Sequence, residues 1–103
     1  MSSNKLPQLK VNPVLSLFSS GQFVDTLDAI DLLKKEYPKE ELLCNIKGAC
    51  YAGLKDFDAA IESYEEALLI NPNYAKAHYN LGDAFHQLKN YDEAVQSYES
   101  SIK

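Results

Sequence analysis

Residues Glu41–Pro72 read ELLCNIKGACYAGLKDFDAAIESYEEALLINP, and the fold turns on the fact that much of this stretch is written again. Displaced by 34 residues, Gly48 falls on Gly82, Leu54 on Leu88, Lys55 on Lys89 and Asp58 on Asp92. Ala60 likewise falls on Ala94, Ser63 on Ser97, Tyr64 on Tyr98 and Glu65 on Glu99. Near matches fill the intervals: Tyr51 with Phe85, Phe57 with Tyr91, Ile61 with Val95, Leu68 with Ile102. A period of this length marks a helix pair that cannot bury its apolar face alone and stacks on its neighbours.

The rest of the chain is read outward from this unit. Phe57–Ile70 is a helix with Asp56 as its cap and Ile61, Tyr64, Leu68 and the alanines as its buried stripe. Glu40–Gly53 precedes it, and Asn71-Pro72-Asn73 is a turn cluster. Tyr74–Gln87 and Tyr91–Ile102 repeat the scheme. Upstream, Phe23, Leu27, Ile30 and Leu33 recur at helical spacing within Gln22–Tyr37, which Pro38 ends. Asn12-Pro13 reads as a helix start, with Asn as cap and Pro in the first turn, so a short helix is expected over Pro13–Ser19. Ser20-Gly21 ends that helix, the glycine supplying a left-handed cap. Counted back from Pro38, residues 7–40 form a degenerate first repeat, with Val14 in place of the glycine and Thr26 in place of the crossing alanine. Residues 41–74 are the second repeat, 75–103 a third that lacks a capping helix, and 1–6 a tail.

Composition narrows the function. The chain has 103 residues, 46% hydrophobic and 24% charged, which suits one folded domain or a piece of a longer array. A net charge of −5 and the absence of arginine argue against a nucleic-acid surface. No apolar run approaches the ~18 residues of a membrane span, and Met1–Lys10 lacks a leader's apolar core. A reducing cytoplasm is the simplest compartment. Cys44 and Cys50 lie six apart on one helix, too far round it to pair with each other, and read as buried thiols.

The residues also speak against catalysis. No nucleophile elbow, phosphate loop or paired-cysteine metal motif occurs, so no catalytic, cofactor or metal residue is assigned. Asp83 and His86, with Tyr79 a turn earlier, supply two ligands, short of a metal site. His78 reads as a packing residue. The acids Asp56, Asp58, Glu62, Glu65 and Glu66 read as a solvated outer face.

The unit resembles the tetratricopeptide repeat (TPR). The residues that carry the resemblance are Gly48, Tyr51, Leu54, Phe57, Ala60, Tyr64, Ala67 and Pro72, then Gly82, Phe85, Leu88, Tyr91, Ala94 and Tyr98. The resemblance implies an all-α, right-handed α-α superhelix of three helix-turn-helix repeats, six antiparallel helices in all. It implies a non-catalytic protein–protein interaction module whose concave groove takes a peptide or helix of a partner.

Carried over by position, the groove takes Leu42, Asn45, Ile46, Ala49 and Ala52 from the second repeat. From the third it takes Lys76, Tyr79, Asn80, Asp83, His86 and Gln87. Asn45 and Asn80 suit a ligand backbone, Tyr79 offers a flat contact, and the alanines leave room. One subtype of the family clamps a partner's C-terminal carboxylate with lysines, arginine and asparagines. The matching positions are Val11, Leu15, Ile46, Lys76 and Asn80, of which only Lys76 keeps the charge, so chaperone-tail binding is not implied. Two alternatives stand beside the groove: homo-oligomerisation through the uncapped face of Tyr91, Val95, Tyr98 and Ile102, and service as the N-terminal accessory array of a transferase-type enzyme.

Overall fold

A computed structural model describes residues 5–103, and within them the chain is six helices with no strand. They are α1 (Gln8–Ser19), α2 (Phe23–Glu36), α3 (Glu41–Gly53), α4 (Phe57–Ile70), α5 (Ala75–Gln87) and α6 (Tyr91–Ser101). They pair as α1/α2, α3/α4 and α5/α6, and each pair packs on the next in a superhelical array. None is long and apolar enough to cross a membrane. Of the expected tail, residues 1–4 lie outside the described residues, while Leu6 packs against the first core cluster.

The 34-residue period reappears in the backbone. Gly21, Lys55 and Lys89 take positive φ, at 79°, 64° and 64°. Each ends the first helix of its pair with the same two bonds. The residue itself donates to the carbonyl three back (Gly21 to Phe18, Lys55 to Ala52, Lys89 to His86). The next residue donates to the carbonyl five back (Gln22 to Leu17, Asp56 to Tyr51, Asn90 to Phe85). The degenerate first unit is therefore a repeat in its turn geometry.

Side chains follow the same register. Gly48 and Gly82 lie against the rings of Tyr64 and Tyr98, where a Cβ would come within 2.4 and 2.7 Å of ring carbons. In the first repeat the small–large pair is replaced by two middle-sized residues: Val14 and Ile30 share the first core cluster with Tyr37, Leu43, Ile46 and Cys50. The crossing positions Thr26, Ala60 and Ala94 are all buried, and the Thr26 hydroxyl is satisfied by the Gln22 carbonyl at 2.6 Å.

The start of α1 differs from the expectation. Asn12-Pro13 does not open the helix; α1 begins at Gln8 after Pro7 and carries Pro13 inside it. Asn12 accepts instead from the Gln8 side chain at 2.8 Å. A proline at this point removes one helical bond, the one owed to the Leu9 carbonyl. Leu9 is 85% exposed, so water can take that bond, while helix on both sides of Pro13 buries Val11 and Val14. Packing overrides the local start signal.

Candidate functional site

α3 and α5 are the first helices of successive pairs, and α5 borders two adjoining depressions, one shared with α3 and α4, the other with the end of α6. One, of about 550 Å³, is lined by Ala49, Ala52, Lys55, Phe57, Tyr64, Asn80, Asp83, Ala84 and Gln87. The other, of about 370 Å³, is lined by Ala75, Lys76, Tyr79, Asn80 and Ser101. Asn80 belongs to both. The small side chains of Ala49 and Ala52 open the first; the larger residues Phe57 and Tyr64 of α4 close its floor.

The expected site residues divide into three groups. Ala49, Lys76, Tyr79, Asn80 and Asp83 line the depressions, as do Ala52 and Gln87. Asn45 lies beneath them: it is buried, and its Oδ1 accepts from Asn80 Nδ2 at 3.1 Å, so it orients Asn80 rather than facing a ligand. His86 lines neither depression, its exposed ring set edge-on to Tyr91 with centroids 5.5 Å apart. Leu42 and Ile46 depart from the expected groove. Both pack into the first core cluster, because the first repeat covers that side of α3.

Residues not expected at the site are Lys55, Phe57, Tyr64 and Ala84 in the first depression and Ala75 and Ser101 in the second. Lys55 comes into reach because its positive φ turns the chain over the end of α3. Tyr98 also contributes from α6. Its hydroxyl donates to Asp83 Oδ1 at 2.5 Å, and its ring lies 5.5 Å from that of Tyr79. The bond to the Asp83 carboxylate favours the neutral phenol and pushes its pKa up to about 12. Asp83 is thus held at the rim with one oxygen engaged, and Tyr79 is propped from behind.

Other singled-out residues have structural partners. Cys44 and Cys50 are free thiols, each fully buried. His78 is half-buried, with Nε2 2.8 Å from the Pro72 carbonyl. Asp56 caps α4, accepting from the Ala59 amide at 3.2 Å. Glu66 pairs with Lys34 at 2.9 Å. Among the described residues no three His, Cys, Asp or Glu side chains gather as a metal site.

Known proteins share both sequence pattern and fold. A TPR repeat model matches residues 49–89, and a tetratricopeptide repeat model matches residues 77–103. The peroxisomal targeting signal receptor of Kluyveromyces lactis is 31% identical over 83 residues, covering 77% of this chain; the chain spans 15% of that receptor's length. The TPR domain of Sgt2 from Aspergillus fumigatus superposes with a TM-score of 0.87 at 20% identity, over 99% of this chain and 70% of that one. The first TPR of Spaghetti (RPAP3), solved with the HSP90 peptide SRMEEVD, gives 0.86 at 23% identity, over 92% and 75%. At those identities the two structures speak to the fold alone. Repeat models that together run from residue 49 to residue 103, laid over three helix pairs that superpose on solved TPR domains, decide the family: the chain belongs to the tetratricopeptide repeat proteins.

Proposed function

We propose that this chain is a non-catalytic binding module that holds a segment of a protein partner across α3 and α5. The observation that carries the reading is the place of Asn80, on the seam of the two depressions and oriented from below by Asn45. A side-chain amide offers both a donor and an acceptor to a peptide backbone, and here one valence is already used to fix its direction. Ala49 and Ala52 leave depth for one partner side chain, with Phe57 and Tyr64 as its apolar floor. Lys55 and Asp83 line the first depression and Lys76 the second, so both charge signs are offered to a partner.

The relatives support the class of ligand. One relative is a peroxisomal targeting signal receptor, and one structural neighbour, a TPR domain, is solved holding the peptide SRMEEVD. The carboxylate-clamp mode does not fit this chain, because Val11 and Ile46 at two of the matching positions are buried and uncharged. The ligand is therefore read as an internal or otherwise clamp-independent segment. The buried free thiols suit the reducing cytoplasm.

The test is to select binders from a random-peptide library and titrate them into isotope-labelled protein. Shifts are expected at Ala49, Lys76, Asn80 and Asp83, and the paired change Tyr79→Ala with Asn80→Ala should weaken binding at least tenfold with the fold intact. Shifts confined to the outer faces of α2, α4 and α6, with binding indifferent to that pair, would overturn the groove.

A further inference from the structure

The first depression, enclosed between the second and third repeats, borders more hydrogen-bond acceptors than its own side chains use. Tyr64 belongs to its floor and is only 3% exposed, yet its hydroxyl has no hydrogen-bond partner among the described residues. Every fully enclosed polar side-chain atom among those residues is satisfied, so this hydroxyl opens on the depression. A polar group buried to this degree is costly to leave without a partner.

Two further acceptors come from α5. Asp83 gives Oδ1 to the Tyr98 hydroxyl, and its Oδ2 is unengaged. Asn80, one turn earlier, commits Nδ2 to Asn45, and its carbonyl oxygen is unengaged. Burial first, and the Asp83 charge next, hold the Tyr64 phenol above its ordinary pKa, and no lysine acts on it. The floor therefore lies in the field of Asp83. Lys55 lines the same depression but is exposed on the turn after α3 and does not offset that field.

We propose that the first depression takes a lysine or arginine side chain of the partner segment, its cationic head on Asp83 and its stem over Ala49, Ala52 and Phe57. This ligand chemistry rests on the groove reading and deepens it. Lysine and arginine heads donate hydrogen bonds and accept none, which suits a carboxylate oxygen, an amide carbonyl and a hydroxyl that all lack donors. Their stems are aliphatic, which suits the apolar lining. An acidic side chain would meet the Asp83 charge and leave those acceptors unmet. The net charge of −5 on the chain favours the approach of a basic segment.

The probes are the random-library peptides that shift Ala49 and Asn80. Each is expected to carry a lysine or arginine whose replacement by norleucine weakens binding by about tenfold or more. Asp83→Asn keeps an acceptor for Tyr98; it should weaken the parent peptide by a similar factor and leave the norleucine peptide bound as in the wild type. Tyr64→Phe should weaken the parent by roughly threefold. Lys55→Gln should tighten it, because Lys55 opposes an incoming cation. Circular dichroism checks that each variant is folded. Groove peptides without a basic residue would overturn the proposal and leave the groove standing, as would an Asp83→Asn or Tyr64→Phe variant that binds like the wild type. Peptides that shift only the outer faces of α2, α4 and α6 would overturn the groove itself, and the basic-residue site with it.

Discussion

Gly48 faces the ring of Tyr64 so closely that a Cβ on it would lie 2.4 Å from Cε1, and Gly82 faces Tyr98 in the same way at 2.7 Å. The two contacts are sequence copies, but their surroundings are not. Tyr64 is 3% exposed and held from behind by Leu81 and Ala84. Tyr98 is only half-buried and borders the open depression on α6. Gly48→Ala is therefore expected to overpack the crossing, costing about 1–3 kcal/mol, of which up to about 1 kcal/mol is returned as helix propensity. Gly82→Ala is expected to be near neutral because Tyr98 can yield. Denaturant midpoints check both; equal losses would mean that the last repeat is as tightly framed as the second.

The left-handed residues give a second comparison. Gly21, Lys55 and Lys89 do the same work in the three turns, but only the first is a glycine. A non-glycine residue there costs about 1–2 kcal/mol. Lys89→Gly is expected to relieve that strain and, after the extra freedom of the unfolded glycine is counted, to stabilise by about 0.5 kcal/mol. Gly21→Ala meets no neighbour within 4 Å, so its expected loss of about 1 kcal/mol is pure backbone strain. Thermal melts of the two variants should move in opposite directions; a common direction would contradict the shared turn geometry.

These two cases show what was legible beforehand. The period located the pairs and the buried alanines, because identical residues recur where similar packing repeats; the glycine–tyrosine contacts emerge only in the fold. It did not reveal the positive φ of Lys55 and Lys89, since lysine carries no signature of a left-handed turn. The start of α1 was misread because Asn12-Pro13 is a strong local signal, and local signals yield when helix on both sides of the proline buries Val11 and Val14. Of the residues assigned to the groove by position, Ala49, Ala52, Lys76, Tyr79, Asn80, Asp83 and Gln87 line the two depressions. Leu42 and Ile46 do not, because which side of α3 the first repeat covers is a property of stacking, and Asn45 does not, because it is buried against Asn80. The Asn45–Asn80 bond spans 35 residues, one more than the period, so aligning the repeats does not place the two on each other.

Lys34 and Glu66 tie the first repeat to the second at 2.9 Å. The hydrogen bond from Lys34 holds the Glu66 carboxyl below its ordinary 4.5, against its partial burial. Burial draws Lys34 down, but the Glu66 hydrogen bond, the neighbouring Cys44 and the Glu66 charge together more than offset it, leaving Lys34 above 10.5. The sign follows from linkage: the Glu66 contribution is present above about pH 4.5 and lost as pH falls through its lowered folded value. The Lys34 contribution is present below about pH 10.5 and lost as pH rises through its raised one. Glu66 is 45% exposed, so solvent screening limits the pair to about 0.5–1 kcal/mol. Glu66→Gln is expected to lower stability by that amount at neutral pH and by nothing near pH 3. A difference that persists unchanged in acid would assign the effect to packing.

Cys44 and Cys50 report separately on how the repeats open. Both are fully buried, and burial pushes both thiols up, Cys50 to about 11, so neither is a ready thiolate near pH 8. Their cover differs. Cys50 sits in the first cluster with Val14 and Ile30, near Thr26. Cys44 sits with Ala67 and Ala77, with Lys34 Nζ 3.7 Å from its sulfur. α1 packs less extensively on α2 than α3 on α4 or α5 on α6, which makes the first repeat the expected weakest unit of a nearest-neighbour stack. Under native conditions, an alkylating reagent followed by mass spectrometry is expected to label Cys50 before Cys44, and neither as fast as in the unfolded chain. One common rate for both would mean that the three repeats open as a single unit, and that the Val14–Ile30 packing holds the degenerate repeat as firmly as the glycine–tyrosine contacts hold the others.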